Sequence, residues 1–108
     1  MEFKEVQKLV YIEYVKNKYE ENWNLARMRL NDNPGFIDLA ELGLVVTEIA
    51  EAMEDIRKGR MDHVGEELAD TIIRVLNLSS RLEIDIENEI LSKHEKNMKR
   101  EALHNKRI

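Results

Sequence analysis

The sequence contains no cysteine, one proline and only four glycines. Without cysteine, a disulfide framework and a thiolate zinc site are both excluded. Because proline and glycine most often interrupt regular structure, their scarcity favours long helices. No apolar run approaches the roughly 18 residues that span a bilayer, and residues 1–10 lack the basic-then-apolar layout of a signal peptide. We therefore expect a cytoplasmic protein with no membrane partner.

An excess of positive charge is also missing, since 22 acidic residues outnumber 17 lysines and arginines and give a net charge of −5. A nucleic-acid-binding protein usually presents a basic surface, so no nucleic-acid partner is expected. An acidic protein can still bind a polyphosphate if divalent cations lie between the two. Apolar residues make up 43% of the chain, which excludes a disordered chain. Residues 1–108 are expected to form one domain with a modest core.

The apolar pattern predicts four helices, and therefore an all-α fold. The first covers about residues 2–29 and ends at the Asn31–Gly35 segment, which contains the only proline. The second covers about residues 36–58 and ends before Gly59, a residue suited to a helix C-terminus. The third covers about residues 62–82, and the fourth begins at residue 85 and continues through the basic segment 93–99.

The second and third predicted helices carry apolar residues at three- and four-residue steps, which predicts a core stripe on each. The stripes consist of Leu42, Val45, Ile49, Met53 and Ile56, and of Val64, Leu68, Ile72, Val75 and Leu82. Further apolar residues lie on other sides of these helices. We therefore expect a four-helix bundle that assembles into a homodimer or homotetramer.

Four acidic residues on the same two helices form two pairs with equal spacing. Glu48 and Glu51 are three residues apart, as are Glu67 and Asp70, so each pair lies on one helix face. A short connection at Gly59 makes the helices antiparallel. Because Glu51 and Glu67 are equally distant from Gly59, as are Glu48 and Asp70, the pairs lie at matching heights. Carboxylate oxygens suit Mg²⁺, but the spacing alone is equally compatible with a solvated acidic face.

The same residues carry a resemblance to a known family. Residues 47–52 and 66–70 resemble the Glu-x-x-Glu … Glu-x-x-Asp signature of the MazG-like all-α nucleotide pyrophosphohydrolases. Residues 93–100 resemble the Lys-x-x-x-Asn-x-x-Arg segment that often follows, and residues 82–86 lie where relatives turn into the last helix. The resemblance covers about residues 36–104.

The resemblance implies a function and a set of site residues. It implies Mg²⁺-dependent hydrolysis, with Mn²⁺ as a substitute, of nucleoside triphosphates to the monophosphate and pyrophosphate. Deoxynucleotides are the expected substrates, in a house-cleaning role. The implied metal-binding and catalytic residues are Glu48, Glu51, Glu67 and Asp70. The residues expected to contact the substrate are Lys93, Asn97, Arg100, Trp23 and Arg74.

Two positions depart from the family pattern. Many relatives carry another glutamate where this chain has Thr47, which bears on the number of metal ions. Relatives often carry an aromatic residue facing the base where this chain has Arg74, which bears on base preference and on activity. Two alternatives therefore stay open: a helical protein-interaction module, and a module that binds nucleotides without cleaving them. For Trp23, core or interface packing is the alternative to stacking on a base.

Overall fold

A computed structural model describes residues 1–29 and 35–105, with side chains up to residue 101. The helices are α1 (Phe3–Lys16), α2 (Tyr19–Arg29), α3 (Gly35–Arg57), α4 (Met61–Arg81) and α5 (Ile86–Asn105). Within these residues there is no strand, so the predicted all-α class is confirmed. The break predicted at residues 31–34 lies outside the described residues. In the described ranges, no helix is long and apolar enough to cross a membrane.

The prediction of one long first helix is wrong, because the chain turns between α1 and α2. Lys18 adopts a left-handed backbone conformation with φ 64°. Its N–H donates to the Val15 carbonyl at 2.9 Å, and the Asn17 N–H donates to the Glu13 carbonyl at 2.9 Å. A left-handed residue directly after a helix ends the helix and redirects the chain. The residues that the structure describes therefore form five helices rather than the predicted four.

Gly59 closes α3 and starts the turn into α4. Its φ of 75° lies in the left-handed region that glycine adopts without steric penalty. The Gly59 N–H donates to the Ile56 carbonyl at 3.1 Å, and the Arg60 N–H donates to the Asp55 carbonyl at 2.8 Å. These two bonds form a Schellman motif, which satisfies carbonyls at the end of α3. The short turn folds α4 back along α3, and this helix pair makes the most extensive contact between helices.

The predicted core stripes are mostly exposed in the single chain, and that part of the prediction is wrong. Of their members, only Val45 and Val64 are buried, whereas Met53 is 56% exposed and Ile72 is 58% exposed. The apolar side chains buried among the described residues are Tyr14, Val45, Ala52, Val64, Leu76 and Leu78. The α3 face buried against the bundle also carries the acidic residues Glu41 and Asp55. Helix α3 therefore buries the side chains of Glu41 and Asp55 and leaves most of its apolar stripe exposed.

The molecule is open for its length. Its radius of gyration is 17.2 Å, against about 13 Å for a compact domain of this size. Helix α5 contributes to this, because it makes few contacts with α1–α4 and its side chains from Asn88 to Glu101 are exposed. Large apolar surfaces on α3 and α4 thus remain in contact with solvent.

Candidate active site

Three of the predicted carboxylates converge between α3 and α4. Oxygen atoms of Glu48 on α3 and of Glu67 and Asp70 on α4 all lie within 4.8 Å of one another. The antiparallel turn at Gly59 brings the two helices together here, and Glu48 and Asp70 lie at the matching distances from Gly59 that the sequence spacing predicts. Glu51, the fourth predicted carboxylate, lies outside this group of three. A ligand set made only of carboxylate oxygens suits hard cations such as Mg²⁺ and Mn²⁺.

Glu67 lies at the centre of this group and is the carboxylate most perturbed by it. Hydrogen bonding with Glu48, then burial, then hydrogen bonding and charge repulsion with Glu51 raise the pKa of Glu67 to about 7. Its Oε2 atom is buried and has no hydrogen-bond partner among the described residues. A cation bound here would compensate the repulsion and engage the unpaired oxygen, so the residues fit a divalent metal ion.

Arg74 and Thr47 adjoin the carboxylates but act differently. Arg74 Nε lies 3.1 Å from Glu48 Oε1, and the Arg74 side chain is 40% exposed. The hydroxyl of Thr47 donates to the Gly43 carbonyl on its own helix at 3.1 Å, so it turns back on α3. Arg74 therefore adds positive charge beside the carboxylates, and Thr47 contributes no carboxylate.

A cleft of 530 Å³ opens beside the carboxylates. This volume is within the range of roughly 300–1,000 Å³ typical of small-molecule sites. Glu48, Asp70 and Arg74 line one part of the cleft. An aromatic group from α1 and α2 lines another part: Tyr14, Tyr19 and Trp23. The cleft thus joins a cation-binding end to an aromatic wall.

A buried ionic network supports the wall of the cleft. Arg81 Nη2 donates to Glu41 Oε2 at 2.6 Å and to Asp38 Oδ1 at 2.7 Å, and Arg81 Nε donates to Glu41 Oε2 at 3.0 Å. Burial opposes the charge of Arg81, but these bonds outweigh it and raise the pKa of Arg81. The Tyr14 hydroxyl donates to Glu41 Oε1 at 2.7 Å, and burial and this bond raise the pKa of Tyr14. The network ties α1, α3 and α4 together.

The comparison with protein families matches residues 39–103 to the MazG nucleotide pyrophosphohydrolase domain. This match spans more than half of the chain and contains all four predicted carboxylates. The chain belongs to the MazG family. Its function is therefore of the nucleotide pyrophosphohydrolase type, and the family is generally dependent on divalent metals. No curated protein and no solved structure gives a significant match to the chain.

In this MazG family member, the predicted substrate-binding residues divide into two groups. Arg74 lines the cleft, as does Trp23, which precedes the matched residues. Lys93, Asn97 and Arg100 lie on the exposed surface of α5 and do not line the cleft of their own chain. The role predicted for these three residues stays a prediction.

The structure also brings to the site three residues for which no role was predicted. Asn77 lines the cleft and is 7% exposed, and Glu41 and Arg81 form the buried network. A usable signal was present, because Glu41, Glu48 and Asp55 recur every seven residues on α3. Such a repeat keeps side chains on one helix face, so the stripe that holds a metal-site carboxylate also holds the ionic network.

Proposed function

We propose that the chain hydrolyses nucleoside triphosphates, including deoxynucleoside triphosphates, to the monophosphate and pyrophosphate with Mg²⁺. The observation that carries the proposal is the convergence of Glu48, Glu67 and Asp70 at one end of a nucleotide-sized cleft in a MazG domain. Its role is the removal of unwanted nucleotides from the cytoplasmic pool.

The carboxylates have separate roles in this reaction. Glu48, Glu67 and Asp70 would hold the ion, and Mn²⁺ would bind to the same oxygen ligands. When bound, the ion would neutralise charge on the phosphate oxygens and lower the pKa of a water molecule. Glu51 is exposed and lies outside the group of three, yet close enough to raise the pKa of Glu67. It is thus the carboxylate that remains free to accept the proton of the attacking water.

Arg74 and Trp23 bind the two ends of the nucleotide. The guanidinium of Arg74 uses Nε for Glu48, and its terminal nitrogens can donate to a phosphate oxygen as charge-assisted hydrogen bonds. Many relatives have a glutamate at the position of Thr47, which could help to bind a further metal ion. Thr47 has no carboxylate, and in this chain Arg74 provides positive charge in place of that ion. Trp23, on the aromatic side of the cleft, stacks on the base.

The active form in this proposal is a homodimer or homotetramer. The exposed apolar stripes of α3 and α4 and the open shape of the single chain both favour a second copy as the missing partner. In such an assembly, Lys93, Asn97 and Arg100 on α5 can reach the cleft of the other copy. Sedimentation velocity of the full chain tests this point, and a monomer at micromolar concentration would contradict it.

The test of the reaction is pyrophosphate release from a panel of ribo- and deoxynucleoside triphosphates with Mg²⁺. Glu48→Gln and Glu67→Gln should each reduce the rate at least about 100-fold, because each removes a charge that holds the ion. Glu66→Gln is the matched control: it changes an exposed carboxylate on α4 outside the converging group, and should keep the wild-type rate. Full activity in Glu48→Gln and Glu67→Gln, or no activity of the wild type on any nucleotide, would overturn the proposal.

One observation favours a second candidate, a nucleotide-binding module without turnover. The ion pair between Arg74 and Glu48 engages an oxygen that the ion would need. This module would show a rise in melting temperature with Mn²⁺ and a nucleotide, with no pyrophosphate released. A helical protein-interaction module would show neither effect.

A further inference from the structure

Asn77 is a buried side chain whose amide oxygen is unpaired among the described residues. It lies on α4, lines the cleft and is 7% exposed. Its Oδ1 atom is buried and has no hydrogen-bond partner within the part of the chain that the structure describes. Buried polar atoms are nearly always paired in native proteins, because an unpaired one is destabilising. An amide in this position is therefore expected to bond to something that enters the cleft.

The position of Asn77 along α4 indicates which part of a nucleotide it meets. Asn77 follows Asp70 by seven residues, which is about 10 Å along the helix axis at about 1.5 Å per residue. Arg74 lies between the two on the same side of the helix, and all three line the cleft. With the phosphates held near Asp70 and Arg74, the nucleoside extends toward the level of Asn77.

The aromatic wall identifies the nucleoside portion that lies there. Tyr14 and Tyr19 have ring centroids 5.9 Å apart at an interplanar angle of 21°, and Trp23 lines the same cleft. Flat aromatic faces bind the faces of nucleobases by stacking, which does not distinguish one base from another. A side-chain amide, which offers both a donor and an acceptor, supplies the discrimination that stacking lacks.

We propose that Asn77 hydrogen-bonds the edge of the nucleobase while the base stacks on the aromatic wall, and that Asn77 thereby determines base preference. This inference rests on the proposed nucleotide substrate and adds the residue that reads the base. Arg74 then serves the phosphates, and the base is read one helical turn further along α4 by Asn77.

The test compares base discrimination in the wild type and in Asn77→Leu, which keeps the branching of the side chain at Cγ but cannot form hydrogen bonds. The ligands are the four α,β-imido deoxynucleoside triphosphates, with inorganic tripolyphosphate as the probe without a base, titrated with Mg²⁺ by calorimetry. In the wild type the dissociation constants should differ by roughly tenfold or more between bases. In Asn77→Leu this spread should fall to about threefold or less, while tripolyphosphate affinity stays unchanged.

A stability measurement separates this role from a structural one. Because the buried Oδ1 of Asn77 has no hydrogen-bond partner among the described residues, Asn77→Leu should keep or raise the melting temperature. Asn88→Leu, at an exposed asparagine on α5, is the matched control and should keep the base spread. If Asn77→Leu does not fold, Asn77→Asp is the second variant: it keeps the shape and replaces the amide donor with a carboxylate oxygen, so the base ranking must change. Tripolyphosphate measures the effect of the added charge separately.

Three results would overturn the inference: an unchanged base spread in the variant, an equal loss of tripolyphosphate affinity, or a wild type that binds all bases alike. If pyrophosphate is still released in those cases, the proposed function stands and only the base-reading role fails. If the wild type binds no nucleotide and releases no pyrophosphate, both fail together.

Discussion

Replacing Arg81 by methionine should destabilise the fold far more than replacing an arginine in an exposed pair. The Arg81 side chain is 1% exposed and that of Glu41 is 5% exposed. Arg81→Met leaves the Glu41 carboxylate buried, with the Tyr14 hydroxyl as its remaining hydrogen-bond donor among the described residues. Removing one partner of a buried ion pair typically costs about 3–5 kcal/mol, a large part of a total stability of about 5–15 kcal/mol. For a chain of this size the melting temperature should fall by roughly 12 °C or more.

Arg57 provides the matched comparison. Its Nη1 lies 2.7 Å from Glu54 Oε2, a distance close to that of the Arg81 pair, but the two side chains are 69% and 40% exposed. Exposed pairs contribute about 0–1 kcal/mol, so Arg57→Met should be nearly neutral. The assay is urea unfolding followed by circular dichroism, with linear extrapolation of the free energy of unfolding.

The reasoning also predicts a partial rescue. Adding Glu41→Gln to Arg81→Met removes the unpaired charge and should recover part of the lost stability. If Arg81→Met is too unstable to measure, Tyr14→Phe offers a smaller step of about 1.5–3 kcal/mol, the value of a hydrogen bond to a charged group. Equal losses, within about 1 kcal/mol, for Arg81→Met and Arg57→Met would refute the argument from burial.

Two further predictions concern the candidate active site: one is about Glu67 and the other about Arg74. In the folded chain the pKa of Glu67 is about 7, above its ordinary value of 4.5. Ionisation of Glu67 therefore destabilises the metal-free fold. This destabilisation is absent below about pH 4.5 and complete above about pH 7. The rise in melting temperature caused by Mn²⁺ should therefore grow as the pH increases through 7, and a rise independent of pH would contradict this. Arg74→Leu should increase KM for nucleotides while the Mn²⁺-induced rise persists, because the variant loses a phosphate contact and keeps the carboxylates. Arg74→Lys should retain part of the affinity, and steady-state kinetics that show no change in KM for Arg74→Leu would exclude the phosphate role.

The metal-site geometry was predictable because it depends on local rules. Helical periodicity and a short turn at Gly59 are sufficient to bring Glu48 on α3 close to Glu67 and Asp70 on α4, and the structure has these three together. The site did not require knowledge of how α1, α2 or α5 pack. The resemblance to a nucleotide pyrophosphohydrolase family added the expected chemistry, and the family match confirms the family.

The buried face of α3 was not predictable in the same way. The rule that apolar residues face the core assumes that the core lies within the chain, whereas Ile49 and Met53 are exposed here and Glu41 is buried. The burial of the Glu41 carboxylate is compensated by hydrogen bonds from Arg81, forty residues away, and from Tyr14 on α1. Such pairings depend on the whole packing arrangement and leave only a weak trace in periodicity.

The division of the first helix shows a different limit. A left-handed residue after a helix is most often glycine or asparagine, and here it is Lys18. A lysine is not a residue that indicates a helix end, so the sequence predicted one helix that continued through Lys18. The consequence for the site is substantial, because the turn allows α2 to carry Tyr19 and Trp23 to the cleft.

The turn at Gly59 has a consequence for how the chain folds. All four carboxylates lie within residues 48–70, on one antiparallel helix pair. Bringing such neighbours together closes a short loop, and the entropy lost in closing a loop increases with its length. Contacts of low sequence separation also favour fast folding. The carboxylates proposed as metal ligands can therefore assemble as soon as this hairpin forms, before the aromatic wall from α1 and α2 is in place, so the proposed cation binding can precede completion of the cleft.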